Sequence, residues 1–479
     1  MSAAMPYDPS TFRGLTFHDA VSAFLEGADS PAAYLERCIA GIEQRDPTVR
    51  AWQALRIDAA RADAQEANRR YRAGTPLSAI DGMPIGIKDL IQTRDLPTGE
   101  GIEGNESSQG KVDSASVQAL RAAGAVILGK LVTTELGGGH PSVTTNPFDA
   151  SRTPGGSSSG SAAAIGARML PAAIGTQVGG SIIRPAGYCG NYAIKPTFGA
   201  LNRGERQGSS QSCVGVHAGS VEDLWAVTYE IGRRAGGDPG HPGLFGAAEA
   251  PRGSRPSPLV VMESDGWQQT DAVTRDAFMQ VLDQLREQGV VVLHRRDDPY
   301  IEAFEGSLAN AAGLVGRILA FENRWALENL VREHATLSDS TLASLERARA
   351  MTVDDYRLAL RERSHAQQRF SALAPIGDAL ISLTAPGPAT PLQPLKYVQG
   401  DPLPSGTGNP AFALPASLLL APALAVPLLA INALPLGIQL IGQRHDDYRL
   451  VAFARWMVER VTPVAVGERL NQNLSGEAV

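Results

Sequence analysis

Cysteine is nearly missing from this chain. Cys38, Cys189 and Cys213 are the three in 479 residues. They form no CxxC pair, which argues against a disulfide framework and a thiolate zinc site and fits a reducing cytoplasm. Basic runs are missing too. Against 43 Lys and Arg stand 50 Asp and Glu, a net charge of −7, so nothing is built to track a phosphate backbone and nucleic acid is not an implied ligand. The first ten residues lack the basic flank and apolar run of a secretory signal, and no export is expected. The eight histidines show no metal-ligand spacing. His217 and His445 read as structural or solvated, and no metal or cofactor is implied. Neither an internal repeat nor a low-complexity tail is present.

An uninterrupted apolar helix is lacking where one is most invited. Residues 402–443 carry no charge and 411–442 are largely apolar, long enough to span a bilayer. Pro415, Pro422, Pro427 and Pro435 break that stretch, since each removes a helical hydrogen bond. Buried strands and short helices of a core are expected there, and no membrane span.

What is present reads as α/β. An Ala-rich amphipathic part, residues 16–73, ends at a Gly-Thr-Pro stop, and a glycine-rich middle follows over 82–219. Beyond the Gly/Pro-rich stretch 233–258, residues 259–262 read as a strand. Phe278, Val281, Leu282 and Leu285 then share a helix face closed by Gly289, and residues 290–293 resume a strand. The charged stretch 323–369 reads as solvent-facing helix. Strands are expected at 424–429 and 437–441, followed by a helix with Leu450, Phe453 and Met457 on one face behind an Asp446 or Asp447 cap.

Three short motifs tempt and fail. Residues 124–130 have P-loop glycine spacing, but Leu131 stands where a magnesium-binding hydroxyl belongs, and Val126 to Leu128 make a strand of the interval. Residues 156–160 match G-x-S-x-G, which would make Ser158 a hydrolase nucleophile, yet Pro154 spoils the strand that must precede it. Cys189 could partner Lys88 in a thiol-dependent amide hydrolase, although nothing marks it as a thiolate.

One constellation survives. Lys88 sits in Gly82-Met-Pro-Ile-Gly-Ile-Lys-Asp89, Ser157 in Gly155-Gly-Ser-Ser-Ser-Gly-Ser161, and Ser181 in Gly175-Thr-Gln-Val-Gly-Gly-Ser-Ile-Ile-Arg-Pro-Ala186. A weak nucleophile, a base and a glycine-lined anion site are what acyl transfer requires. Glycines at 179 and 180 let backbone N–H groups approach a ligand closely, which makes Val178, Gly179, Gly180 and Ser181 the candidate oxyanion hole. As a base, Lys88 must be neutral, so burial must lower its pKa; Ile85, Ile87, Leu90 and Ile91 surround it, while Asp89 would oppose the shift if it pointed inward.

These segments, with Tyr192-Ala-Ile-Lys-Pro-Thr-Phe-Gly199 and Pro435-Leu-Gly-Ile-Gln-Leu-Ile-Gly442, resemble the amidase signature family, the Ser-cisSer-Lys hydrolases. The resemblance implies a single domain over 1–479, a large mixed sheet flanked by helices on both faces. Within it, 16–73 is the N-terminal helical part, 82–219 the signature core, 235–400 a variable part, and 401–470 the C-terminal core. It implies Ser181 as nucleophile, Ser157 after a cis Gly156–Ser157 bond as proton relay, Lys88 as base, and Thr176 in support. The activity implied is hydrolysis of a small amide through a seryl acyl-enzyme, without a cofactor. The alternatives are an esterase or carbamoyl hydrolase on the same site and a glutaminase-type component of an amidotransferase. A homodimer is compatible with the sequence, which leaves the oligomeric state open. The common family form Gly-Thr-Asp-Thr-Gly-Gly-Ser-Ile-Arg is altered twice: Gln177 replaces the Asp, and the Arg arrives one residue late, at 184. That version resembles the malonamidase-like branch and makes Arg184 either a reader of a substrate carboxylate or a structural arginine. Substrate identity is expected to lie in 203–217, 302–348 and 384–407.

Overall fold

The computed structural model describes residues 6–105, 110–204, 209–333, 336–392, 397–398, 401–402 and 406–467. The segments expected to carry substrate identity therefore fall partly outside the described residues. Among those described, one 12-stranded mixed sheet organises the chain. Its strands are β1 (Trp52–Leu55), β2 (Pro84–Lys88), β3 (Val126–Leu131), β4 (Ala172–Gln177), β5 (Tyr192–Lys195), β6 (Cys213–Ala218), β7 (Leu259–Val261), β8 (Val292–Leu293), β9 (Ala379–Leu383), β10 (Ala423–Ile431), β11 (Leu434–Ile441) and β12 (Val464–Val466). The spatial order is β1-β3-β2-β4-β6-β5-β10-β11-β9-β7-β8, with β12 beside β10. β2 runs parallel to both β3 and β4.

Burial of both sheet faces explains the composition of these strands. In β3, Val126 and Leu128 pack with Leu35, Ile39, Ala60 and Ala64 of helices Pro31–Val49 and Ile57–Arg72. Ile127 faces the other way, with Val117 and Leu120 of helix Ala115–Ala122 and Leu224 of helix Val221–Ala235. A strand covered on two sides reads as a continuous apolar run, which is why Val126 to Lys130 is a strand and no phosphate loop. The uncharged stretch 411–442 resolves into the short helix Leu414–Leu418 and the antiparallel pair β10–β11. Pro427 falls where that ladder slips, between Val426 and Leu429; a residue without an N–H is tolerated at such a bulge. No described helix is long and apolar enough to cross a membrane.

Several expectations are met and some are corrected. Helix Ala272–Glu287 buries Phe278, Val281, Leu282 and Leu285 as its periodicity predicts, and Gly289 takes φ 78° just beyond it. The strand expected at 290–293 shrinks to the half-buried pair Val292–Leu293. The N-terminal part is interrupted by β1, and the charged stretch 323–369 belongs to three helices, Ala311–Arg332, Asp339–Ala350 and Val353–Ser371. Neither aspartate caps the last helix, Asp447–Arg460. Asp446 stands at its N-cap without a side-chain bond, and Asp447 accepts instead from the Thr197 N–H (2.8 Å) and hydroxyl (2.7 Å). That tertiary demand outweighs the local cap.

One close approach places the signature helix Ser159–Gly166. The Gly160 N–H donates to the Val132 carbonyl at 2.9 Å, and a Cβ at 160 would stand 2.3 Å from the Ala51 oxygen and 2.6 Å from the Val132 nitrogen. Both obstacles are backbone, so Gly160→Ala is expected to destabilise the fold by at least about 1–3 kcal/mol through overpacking. Gly316→Ala, in an exposed helix interior with nothing near its Cβ position, should instead stabilise by about 0.5–1 kcal/mol. Urea midpoints of the two variants should move in opposite directions from the parent.

Candidate active site

The candidate residues converge at the C-terminal ends of the parallel strands β2 and β4, the edge where open α/β sheets place ligands. Lys88 ends β2 and Thr176 lies one residue from the end of β4. The loop before helix Ser159–Gly166 delivers Ser157 through a Gly156–Ser157 bond that is cis, as expected. The Ser158 N–H donates to the Ser181 carbonyl at 3.3 Å, which fastens the two serine loops together.

Lys88 is fully buried and its amine faces hydroxyls. Nζ lies 2.7 Å from Ser157 Oγ, 3.0 Å from Ser158 Oγ and 2.9 Å from Thr176 Oγ1, with the Thr176 carbonyl at 3.3 Å. Hydroxyls both donate and accept, so they can satisfy a neutral amine as well as an ammonium. Burial drives the Lys88 pKa well below the ordinary lysine value, because a cation loses its hydration there. Asp89, the acid that could have prevented this, turns away. It pairs with buried Lys130 at 2.8 Å and accepts from the Gly99 N–H at 3.0 Å.

Ser158 is not a nucleophile. Its hydroxyl is fully buried and bridges Lys88 to the Thr176 carbonyl (3.2 Å). Cys189 is buried, its thiol pKa pushed well up, with Sγ 3.4 Å from the Pro154 carbonyl; the thiol-dependent alternative has no support. Behind Gly175 lies buried His217, held by Asn191 at 3.1 Å and pushed down to about 3 by burial and by Lys88. It is neutral, a core histidine.

The segment 178–181 carries the donors. Among the described residues, the N–H groups of Gly179, Gly180 and Ser181 donate to no protein acceptor, and Ser181 Oγ forms no hydrogen bond. The Ser157–Lys88 leg of the expected relay is thus formed, while the Ser181–Ser157 leg is not a hydrogen bond in this structure. Catalytic bonds often close only once substrate is seated.

Arg184 is buried and lacks a carboxylate partner among the described residues. Its Nε and Nη2 donate to the Thr407 carbonyl (2.8 Å) and hydroxyl (2.8 Å) and to the Gly156 carbonyl (2.7 Å). Nη1 lies 3.1 Å from the Cβ position of Gly180. Burial pushes the guanidinium down to about 10, so it stays charged at neutral pH. Gln177 occupies the altered aspartate position: its Oε1 accepts from the Ile182 (2.8 Å) and Ile183 (3.0 Å) N–H groups, and its Nε2 donates to Ser417 at 3.2 Å. Ser158, Thr407 and Ser417 were not singled out as site partners by the sequence. The first is masked by its serine-rich run, and the others arrive from more than two hundred residues away.

A depressed lysine pKa has a thermodynamic signature. Below about pH 10.4 an unfolded chain protonates Lys88, while the folded chain holds it neutral to a much lower pH. Over that window the unfolded state binds more protons, so Lys88 subtracts stability as pH falls, by up to about 1.4 kcal/mol per pH unit. Lys88→Met should therefore gain stability relative to the parent as pH is lowered from 10. A gap that stays constant across urea titrations at stepped pH would contradict a neutral Lys88.

The amidase family profile matches residues 33–451. A glutamyl-tRNA(Gln) amidotransferase component of Chloroflexus aggregans, the one lettered A, is 32% identical, the match covering 91% of this chain and 94% of the relative. Its counterpart in Anaeromyxobacter sp. (strain K) is 31% identical with the same coverage. Among solved structures, an amidase superposes with a TM-score of 0.80 at 25% identity, over 93% of this chain and 100% of its own. A 6-aminohexanoate cyclic dimer hydrolase complexed with substrate shares the fold, with a TM-score of 0.80 at 21% identity, over 94% of this chain and 98% of its own. Profile and whole-length relatives agree: the chain belongs to the amidase family and hydrolyses amide C–N bonds.

Proposed function

We propose that this chain is a stand-alone amidase for a small substrate, with Ser181 as nucleophile, Ser157 as relay and Lys88 as base. The observation that carries the reading is the buried Lys88 amine, 2.7 Å from Ser157 and without a carboxylate to keep it charged. Ser181 Oγ attacks the amide carbon while its proton passes through Ser157 to neutral Lys88. The oxygen of the tetrahedral intermediate takes the N–H groups of the 178–181 loop, where each donor is worth about 2.7–4 kcal/mol. Collapse breaks the C–N bond, and Lys88 returns the proton through Ser157 to the departing ammonia or amine. Water then repeats the sequence on the seryl ester and releases the carboxylate.

Arg184 gives this site its acyl preference. A buried cation without an anionic partner is expensive, and a carboxylate close to the scissile amide would supply the missing charge beside Nη1. A second reading keeps the same chemistry but passes ammonia to partner proteins. The amidotransferase components that match 91% of the chain are the observation in its favour.

Ammonia release from malonamate, glutamine and aryl amides tests these readings. Activity should vanish in Ser181→Ala, and an acyl adduct should be trapped on Ser181 in the parent. Strong glutamine preference with co-purifying partners would favour the amidotransferase reading. Arg184→Ala should depress turnover of carboxylated amides at least tenfold more than of neutral ones, an energetic difference of about 1.4 kcal/mol. Equal losses would make Arg184 structural.

A further inference from the structure

An oxyanion hole is only as good as the orientation of its peptide planes, and here each plane is held from behind. In a trans peptide the C=O and the following N–H point in opposite directions, so a carbonyl tied on one side presents the next N–H on the other. The Val178 carbonyl accepts from Gln211 Nε2 at 3.2 Å, which aims the Gly179 N–H. The Gly179 carbonyl accepts from Ser417 Oγ at 3.3 Å, which aims the Gly180 N–H. The Gly180 carbonyl accepts from the Arg184 N–H at 3.0 Å inside the following turn.

Both side-chain tethers are built into fixed parts of the fold. Ser417 is fully buried in the short helix Leu414–Leu418. Its hydroxyl is oriented because Gln177 Nε2 donates to it, and Gln177 in turn is oriented by the two N–H groups that its own oxygen accepts. An aspartate at 177 would accept the same two N–H groups but could not donate to Ser417, so the altered residue adds a link that the common family form cannot make. Gln211 is fully buried too. The residue before it is anchored on helices Ala311–Arg332 and Val353–Ser371, where the Ser210 N–H donates to Glu322 (2.9 Å) and Arg363 donates to the Ser210 hydroxyl (2.6 Å). The alternative to tethers of this kind is a glycine pair free to rotate, which would give up preorganised donors.

The geometry points to Gln211 and the Gln177–Ser417 pair as positioning residues that set the orientation of the oxyanion loop without touching substrate. This rests on the reading of 178–181 as the oxyanion hole. It is tested with Gln211→Met and Ser417→Ala, singly and together, using the best amide of the panel and the aldehyde carrying the same acyl group, which adds to Ser181 as a tetrahedral oxyanion. Each variant should lose about tenfold in kcat, a fraction of what deleting a hole donor costs. KM should stay within about twofold, and aldehyde affinity should fall in step with kcat. The acid limb of the pH profile should not move, because the Lys88 contacts are untouched. Full kcat and full aldehyde affinity in both variants, or a loss confined to KM, overturns the inference. An active Ser181→Ala would bring down the acyl-enzyme reading itself. An inactive Ser181→Ala beside fully active Gln211→Met and Ser417→Ala would remove only the positioning roles.

Discussion

The proposed chemistry of this fold depends on keeping one lysine amine away from both water and acid. Lys88 is placed by the end of a strand covered on two faces, so desolvation is a consequence of the sheet and needs no dedicated pocket. The partners are hydroxyls and a carbonyl because a carboxylate would reverse the effect: an opposite charge within a few ångströms stabilises the ammonium. The sequence nonetheless puts an aspartate at the next position. Lys130 resolves the conflict by engaging Asp89 2.8 Å away at the neighbouring strand. This buried pair is weak evidence for stability in general, but here it keeps an acid apart from the amine that the proposed mechanism needs neutral. Removing either partner would leave a lone charge beside Lys88.

The parts of the site that the sequence reveals are those encoded by local backbone. Gly155 to Ser161 and Gly179 to Ser181 are legible because loops that present hydroxyls and N–H groups at close range need glycine and small residues in fixed order. Lys88 taken alone reads as a surface lysine and is legible only jointly with the two serine motifs. Individual strands are readable as short apolar runs such as residues 126–128 and 437–441, whereas the large mixed sheet is implied by the family resemblance. Gln211, Thr407 and Ser417 were not readable as site partners. They are ordinary polar residues without periodicity, and their meaning comes from tertiary contacts to Val178, Arg184 and Gly179. The missed cap at Asp446–Asp447 teaches the same lesson, since Thr197 lies 250 residues from Asp447 and claims its carboxylate.

The altered signature is best understood as a change in charge distribution behind the nucleophile. Gln177 does the N–H-accepting work available to an aspartate while bringing no negative charge, and it adds a donor toward Ser417. With that anion absent, Arg184 engages only neutral oxygens of Gly156 and Thr407. Arg184 thus places a positive charge beside Gly180, with no carboxylate paired to it among the described residues. Such a field favours an anion in the ground state when the acyl group carries a carboxylate, and favours the oxyanion whatever the acyl group is. These effects differ in consequence: stabilising both states equally lowers KM alone, whereas charge that develops only in the tetrahedral intermediate raises kcat. The Arg184 side chain lies beside Gly180, where on the proposed reading it would contribute to both, while the proposed tethers on Val178 and Gly179 would act only on the second. On the proposed reading, the substitution at 177 and the shifted arginine act as one change, in which a counter-charge inside the protein would be exchanged for one that the substrate brings.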